Sequence, residues 1–109
     1  MIVTNKLLSL LGLAKKAGRL SLGHDAVMEA IGKRKAVLVL LAADASERLE
    51  REMRRELAFQ KSSATLIRIN ETMEDIGHAL PHKVGVVSVN DSSFASAMTN
   101  IMEEADTNG

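Results

Sequence analysis

Apolar positions recur at helical spacing along Leu7, Leu10, Leu11, Ala14 and Ala17, and predict a helix over Asn5–Ala17. Thr4 or Asn5 supplies its N-cap, and Gly18 stands just past its end as a natural stop. Arg19–Leu22 reads as a short extended piece. Gly23 then opens a second helix, Asp25–Gly32, with Val27, Ala30 and Ile31 on its inner face. The pattern changes at Ala36–Ala42, an unbroken apolar run that is too continuous for a half-exposed strand and predicts one buried on both faces.

Asp44 reads as the N-cap of a third helix, Ala45–Lys61, with Glu47 completing a variant of the capping box. Leu49, Met53 and Leu57 form its apolar stripe. Its polar face carries Glu47–Arg51 and Glu50–Arg54 at i,i+4 spacing, each worth about a few tenths of a kcal/mol on a solvated face. Ala64–Ile69 predicts a third strand and Thr72–Leu80 a short helix ended by Pro81. Val84–Val89 is a fourth strand, again nearly continuously apolar. Asp91 or Ser92 caps a last helix through Phe94, Ala97, Met98, Ile101 and Met102, and residues 105–109 are expected to fray.

Helix alternating with buried strand predicts one α/β domain over residues 1–109: a three-layer α/β/α sandwich around a four-stranded mixed sheet. No linker, repeat or low-complexity segment interrupts it. The 109 residues are 46% hydrophobic and 26% charged, an ordinary globular balance. Absence of cysteine removes disulfide frameworks, thiolate zinc sites, Fe–S clusters and cysteine nucleophiles. Phe59 and Phe94 are the only aromatic residues, which removes a sheet paved with base-stacking rings. The early apolar stretch has Lys15 and Lys16 behind it, where an export signal carries its cations in front, and no small-x-small cleavage site follows. No window reaches the length of a membrane span. These features predict a cytoplasmic protein without a membrane partner.

Zero net charge conceals an asymmetry. Residues 1–35 carry seven cations (Lys6, Lys15, Lys16, Arg19, Lys33, Arg34, Lys35) against Asp25 and Glu29, a net +5, whereas residues 36–109 carry net −5. A basic first third on a neutral chain suggests a positive face suited to phosphates, although lysines also simply flank helix ends.

Catalytic and metal chemistry find no constellation. His78 and His82 have the four-residue spacing of helical ligands, but Pro81 breaks the helix that would align them. His24 has Asp25 beside it and no third ligand. No serine lies in a nucleophile elbow, and neither a P-loop nor a Gly-x-Gly-x-x-Gly run is present. Asp44, Asp75 and Asp91 all read as helix caps or first-turn residues. No cofactor is expected and no enzymatic activity. Gly23 is more informative: it follows a cluster of positive charge and precedes a helix whose start exposes unpaired N–H groups, an arrangement open to phosphate or base edges as well as to a plain turn.

The run Leu10-Leu11-Gly12-Leu13-Ala14-Lys15-Lys16-Ala17-Gly18-Arg19-Leu20, followed by Gly23, Ala26-Val27 and Ala30-Ile31, resembles the ribosomal protein L7Ae family of kink-turn RNA-binding proteins, in particular its small bacterial branch. The likeness continues through Lys35–Ser46, and more weakly through Ile76-Gly77-His78-Ala79 and Val84–Asp91 before Phe94-Ala95. It spans about Asn5 to Ile101. The resemblance implies an α/β/α sandwich that binds a sharply bent RNA at tandem sheared G·A pairs. It also implies that the start of the second helix, Gly-x-Asn-Glu-x-x-Lys in that family, enters the RNA internal loop. Here the run is Gly23-His24-Asp25-Ala26-Val27-Met28-Glu29: glycine is kept, Asp25 replaces Asn, Ala26 replaces Glu and Glu29 replaces Lys. Two further RNA-facing loops are implied, Ala43-Asp44-Ala45-Ser46 and Leu80-Pro81-His82-Lys83-Val84. Lys83 would meet a phosphate, and Leu80 and Val84 would pack on an extruded base or else lie in the core.

The function expected is thus non-catalytic binding of structured RNA, ribosomal or other. Gly23, His24 and Asp25 are expected at the bend, Asp44, Lys83 and Val84 in the flanking loops, and Lys15, Lys16, Arg19 and Lys33 along the backbone. The protein is expected to act as a monomer, with the ribosome or other proteins as further partners. A rival from another class is a protein-interaction module on the same fold, favoured by Ala26 and Glu29. A small-molecule enzyme using the Gly23 helix start ranks below both for want of an acid, base or nucleophile.

Overall fold

The structure, a computed structural model, describes the backbone of residues 5–107 and the side chains of residues 5–104. Its elements are α1 (Lys6–Lys16), β1 (Leu20–Leu22), α2 (His24–Gly32), β2 (Leu38–Leu41), α3 (Glu47–Phe59), β3 (Thr65–Arg68), α4 (Met73–Ala79), β4 (Val86–Val89) and α5 (Ser92–Thr107). Thr4, the alternative first cap, lies outside the described residues, as do Asn108 and Gly109 of the tail. Asn5 caps α1, its side chain accepting from the Leu8 N–H at 2.9 Å. Asp91 caps α5 through the Phe94 N–H.

The sheet order is β1-β4-β2-β3. β4 pairs antiparallel with both β1 and β2, while β2 and β3 are parallel, so the sheet is mixed. The parallel pair requires a crossover, and α3 supplies it. Helix α1 packs against α4 and α5, and α2 packs against α3, one group on each side of the sheet. The two inner strands β2 and β4 are buried at every position, as strands covered on both faces must be. Leu38–Leu41 and Val86–Val89 form the centre of the core, with Leu11 from α1, Val27 and Ile31 from α2, Met53 from α3, Ile76 from α4 and Met98 from α5.

The strands are shorter than the apolar runs that predict them. Ala36 and Ala42 are as buried as strand residues but lie in the connections. Val37, inside the same run, is 39% exposed, so hydrophobic continuity marks neither burial at every position nor where the ladder stops. Asp44 is not the cap of α3. Arg68 donates from Nη1 to the carbonyls of Ala42, Ala43 and Ala45 at 3.0, 3.2 and 2.8 Å, gathering this segment into a turn. The helix consequently begins two residues later than Asp44 would allow, with Ser46 as its cap accepting from the Leu49 N–H at 3.1 Å. The Glu50–Arg54 pair forms as the spacing predicts, and Arg48–Glu52 takes the place of Glu47–Arg51.

Truncating the central strand tests this core. Leu40→Ala, at a site 1% exposed, is expected to cost about 3 kcal/mol in urea unfolding, while Phe59→Ala, at a site 78% exposed, should stay within about 0.5 kcal/mol of the parent.

Candidate functional site

Three connections meet at one end of the sheet. Gly23, between β1 and α2, donates its N–H to the Val86 carbonyl at 2.9 Å, and the Ala42 N–H donates to Gly85 at 2.9 Å. The Ala43 N–H donates to the Glu71 carbonyl at 2.7 Å, and Asp44 accepts from the Met73 N–H at 2.9 Å. The start of α2, the loop after β2 and the loop before β4 are thereby tied together, with the first turn of α4 behind them. Asp44 thus anchors the loop to α4.

Gly23 has φ 90° and ψ 168°, a region open essentially to glycine alone. A Cβ there would lie 3.8 Å from Val84, so the constraint is the backbone and not space. This conformation turns the chain from the strand into the helix and brings Gly23 against the half-buried Val84. Leu80 is fully buried and belongs to the core, which leaves Val84 as the apolar residue of that loop at the surface. Lys83 is exposed, its backbone held close to α4 where Gly77 leaves room; a Cβ at Gly77 would lie 3.4 Å from it.

His24, the first residue of α2, is bracketed by two carboxylates. Its Nδ1 lies 2.8 Å from Asp25 and its Nε2 2.7 Å from Glu52 on α3, which also accepts from Arg48 at 3.1 Å. Hydrogen bonds to Asp25 and then Glu52 raise the imidazole pKa above 6.5, against a smaller opposing effect of desolvation. The His24 contact holds Glu52 below the usual carboxylate range. Glu50, bonded to Arg68 at 2.7 Å and to Arg54, is lowered likewise. Neither Glu52 nor Arg68 emerges from the sequence as a site residue. Glu52 reads there as one more charge on a solvated helix, and nothing in a strand end announces that its arginine will clamp a distant loop.

The remaining sequence-predicted residues are elsewhere. Lys15 and Lys16 occupy the last turn of α1, Arg19 precedes β1, and Lys33 follows α2. Both β1 and the nine-residue α2, about 13 Å long, separate this group from Gly23. The structure therefore joins Gly23, His24, Asp25, Asp44, Lys83 and Val84 at one end and sets the other four away from it, Arg19 and Lys33 on one cleft and Lys15 and Lys16 at the end of α1, which covers the opposite face of the sheet. Along α2 between them run Ala26, Glu29 and Lys33, one turn apart. Glu29 binds Lys33 at 2.8 Å, and that bond holds its carboxyl below the ordinary range. An open cleft of about 550 Å³ lies on this side, lined in part by Arg19, Ser21, Glu29, Lys33, Lys35 and Asn90. Among the described residues, no group of three or more histidine, aspartate or glutamate side chains could hold a metal ion.

The family described as Ribosomal protein L7Ae/L30e/S12e/Gadd45 matches residues 5–98. Among solved structures, a protein of unknown function from Bacillus halodurans is similar at 25% identity and a TM-score of 0.81, over 92% of this chain and 99% of that one. A 15.5 kD RNA-binding protein from Giardia lamblia shares the fold at 18% identity and a TM-score of 0.66, over 97% of this chain and 92% of that one. No curated protein matches the chain.

The bracketed histidine gives a measurable titration. His24 is expected to titrate above 6.5 by NMR, and Glu52→Gln should bring it down toward that value. Because the folded pKa is the raised one, the stability His24 contributes is fully present below about pH 6.5 and lost as pH rises through the raised value. A separate strain test is Gly23→Ala, expected to cost about 1–3 kcal/mol in urea unfolding.

Proposed function

The chain belongs to the ribosomal protein L7Ae/L30e/S12e/Gadd45 family, and from that premise we propose that it is a non-catalytic RNA-binding protein that holds a sharply bent RNA at tandem sheared G·A pairs. The observation that carries this reading is the convergence of the Gly23 helix start with the 42–46 and 80–85 loops on one end of the sheet. Exposed N–H groups and the positive end of the α2 dipole favour phosphate oxygens and base-edge acceptors there. Val84 offers an apolar contact for an unstacked base, and Lys83 a phosphate contact. Recognition of this kind reads shape and non-Watson–Crick pairs rather than a linear sequence.

Charge decides how strongly such a site binds. Asp25, Asp44 and Glu52 oppose phosphates at the bend, and protonated His24 offsets part of their charge. Glu29 removes the lysine of the family's pattern and also neutralises Lys33 through their ion pair. Lys15, Lys16 and Arg19 at the far end would contact backbone, positioning the RNA without specifying it. The protein would act as a monomer in the cytoplasm, on ribosomal or other structured RNA, with the ribosome or other proteins as further partners. The Glu29–Lys33 pair is also the observation favouring the second reading, a protein-interaction module that has given up kink-turn binding.

A gel-shift titration at near-physiological salt with Mg²⁺ separates these readings. A short kink-turn RNA should bind in preference to the same RNA with its G·A pairs replaced by Watson–Crick pairs. Equal weak binding, or none, would sink the kink-turn reading and favour the second. Glu29→Lys is expected to tighten binding by about tenfold or more, because it restores one cation and frees another. Replacing Lys15 and Lys16 by alanine should flatten the salt dependence by about two units at most, and an unchanged slope would remove both from the interface.

A further inference from the structure

Among the described residues, the outer edge of β1 has no neighbour in the sheet. β1 stands first in the order β1-β4-β2-β3, and among the described residues β4 is its only partner. The register fixes which groups it shows. The Gly23 N–H donates to Val86 and the Arg19 carbonyl accepts from Asn90, so Ser21 between them directs its N–H and C=O toward β4, while the Arg19 N–H turns to Ala14 and the Gly23 carbonyl to Val27. By the alternation of an antiparallel ladder, Leu20 and Leu22 direct theirs away from it. An unpaired edge of this kind is a template for another extended backbone.

Beside this edge lies the cleft between β1 and α2. Gly18, Ala26 and Ala30 leave it room. Ser21 and Asn90 make its polar wall, joined at 3.0 Å, with Ser88 behind them bonded to Asn90 at 2.9 Å. Three cations line it, Arg19, Lys33 and Lys35, but Lys33 is bonded to Glu29 at 2.8 Å, which leaves Arg19 and Lys35 to face a ligand. The Arg19–Asp91 approach, at 3.9 Å with the arginine 57% exposed, commits little of that charge.

We infer that the β1 edge and this cleft dock an extended acidic peptide of a partner protein, which adds to the sheet as a fifth strand. Its main chain pairs with the N–H and C=O groups of Leu20 and Leu22, and carboxylates on alternate residues meet Arg19 and Lys35. A nucleic-acid backbone satisfies the cations equally well, and RNA brings 2′-hydroxyl donors, but only an extended peptide presents N–H and C=O together at strand spacing to match the outward groups of Leu20 and Leu22. The site goes beyond the RNA reading and does not need it. It shares Arg19 with the contacts proposed for RNA, so peptide and RNA would compete there.

The test uses the full chain without RNA and a fluorescein-labelled ten-residue peptide alternating Glu with Val and Thr. Fluorescence anisotropy should show saturable binding, weakened about tenfold or more by N-methylation of alternate peptide nitrogens, since that removes edge hydrogen bonds and keeps the charge. An Arg19→Ala/Lys35→Ala variant, its fold checked by circular dichroism, should lose affinity comparably. Amide shifts in a ¹⁵N NMR spectrum should cluster at residues 19–22 and 26–35 and spare His24 and Val84. Absence of saturable binding, or binding that survives N-methylation, overturns the inference, as does displacement of these amides by duplex RNA alone. None of these results bears on preference for a bent RNA, which the gel shift decides independently.

Discussion

Burial of two adjacent strands on both faces is the constraint from which the rest of the molecule follows. β2 and β4 expose essentially no side-chain surface, so each face of the sheet needs a helical cover. With α1, α4 and α5 on one side and α2 and α3 on the other, every connection crosses an end of the sheet. Backbone polar groups must find partners as the chain makes those crossings. At the Gly23 end they find them in one another: strand end, helix start and two loops are bonded together by main chain and by Asp44. The candidate site is a by-product of closing that end of a buried sheet.

The electrostatics have the opposite origin. Cations gather where α1 and α2 end, a favourable place for positive charge near helix C-termini, and carboxylates gather where α2, α3 and α4 begin. A charge distribution that suits the helix dipoles therefore sets acidic groups around the Gly23 end and basic groups at the other. His24 answers this locally. Held between Asp25 and Glu52, it carries its proton further into the neutral range and reduces the negative charge beside the helix start. The Glu29–Lys33 pair works against a phosphate ligand midway between the two ends. Affinity for RNA is consequently a balance struck within this chain, even where the backbone geometry is favourable.

Much of the architecture is legible in the residues. Periodicity gives all five helices and four strands in order, since a helix face and a doubly buried strand leave different spacings. The resemblance carried by Leu10–Leu20, Gly23 and Lys35–Ser46 agrees with the family matched over residues 5–98. The errors have a common physical source. Asp44 looks like a cap because aspartate before a helix usually is one, but Arg68 reshapes the turn and Ser46 takes the role. Leu80 looks equally suited to a base or a core, and only its neighbours decide for the core.

What the sequence alone determined is local in character: which segments are helical or extended, which strands are buried, where glycine is demanded, and which family pattern the chain carries. Each depends on residues a few positions apart. The tertiary structure decided what depends on distant pairs. It divided the expected site residues between two ends of the sheet, placed Glu52 on His24 across 28 positions and Arg68 on the 42–45 carbonyls, and left one edge of β1 unpaired among the described residues. No local pattern encodes these, because a hydrogen bond or ion pair between remote residues exists only once the packing of helices on the sheet has set the distance between them.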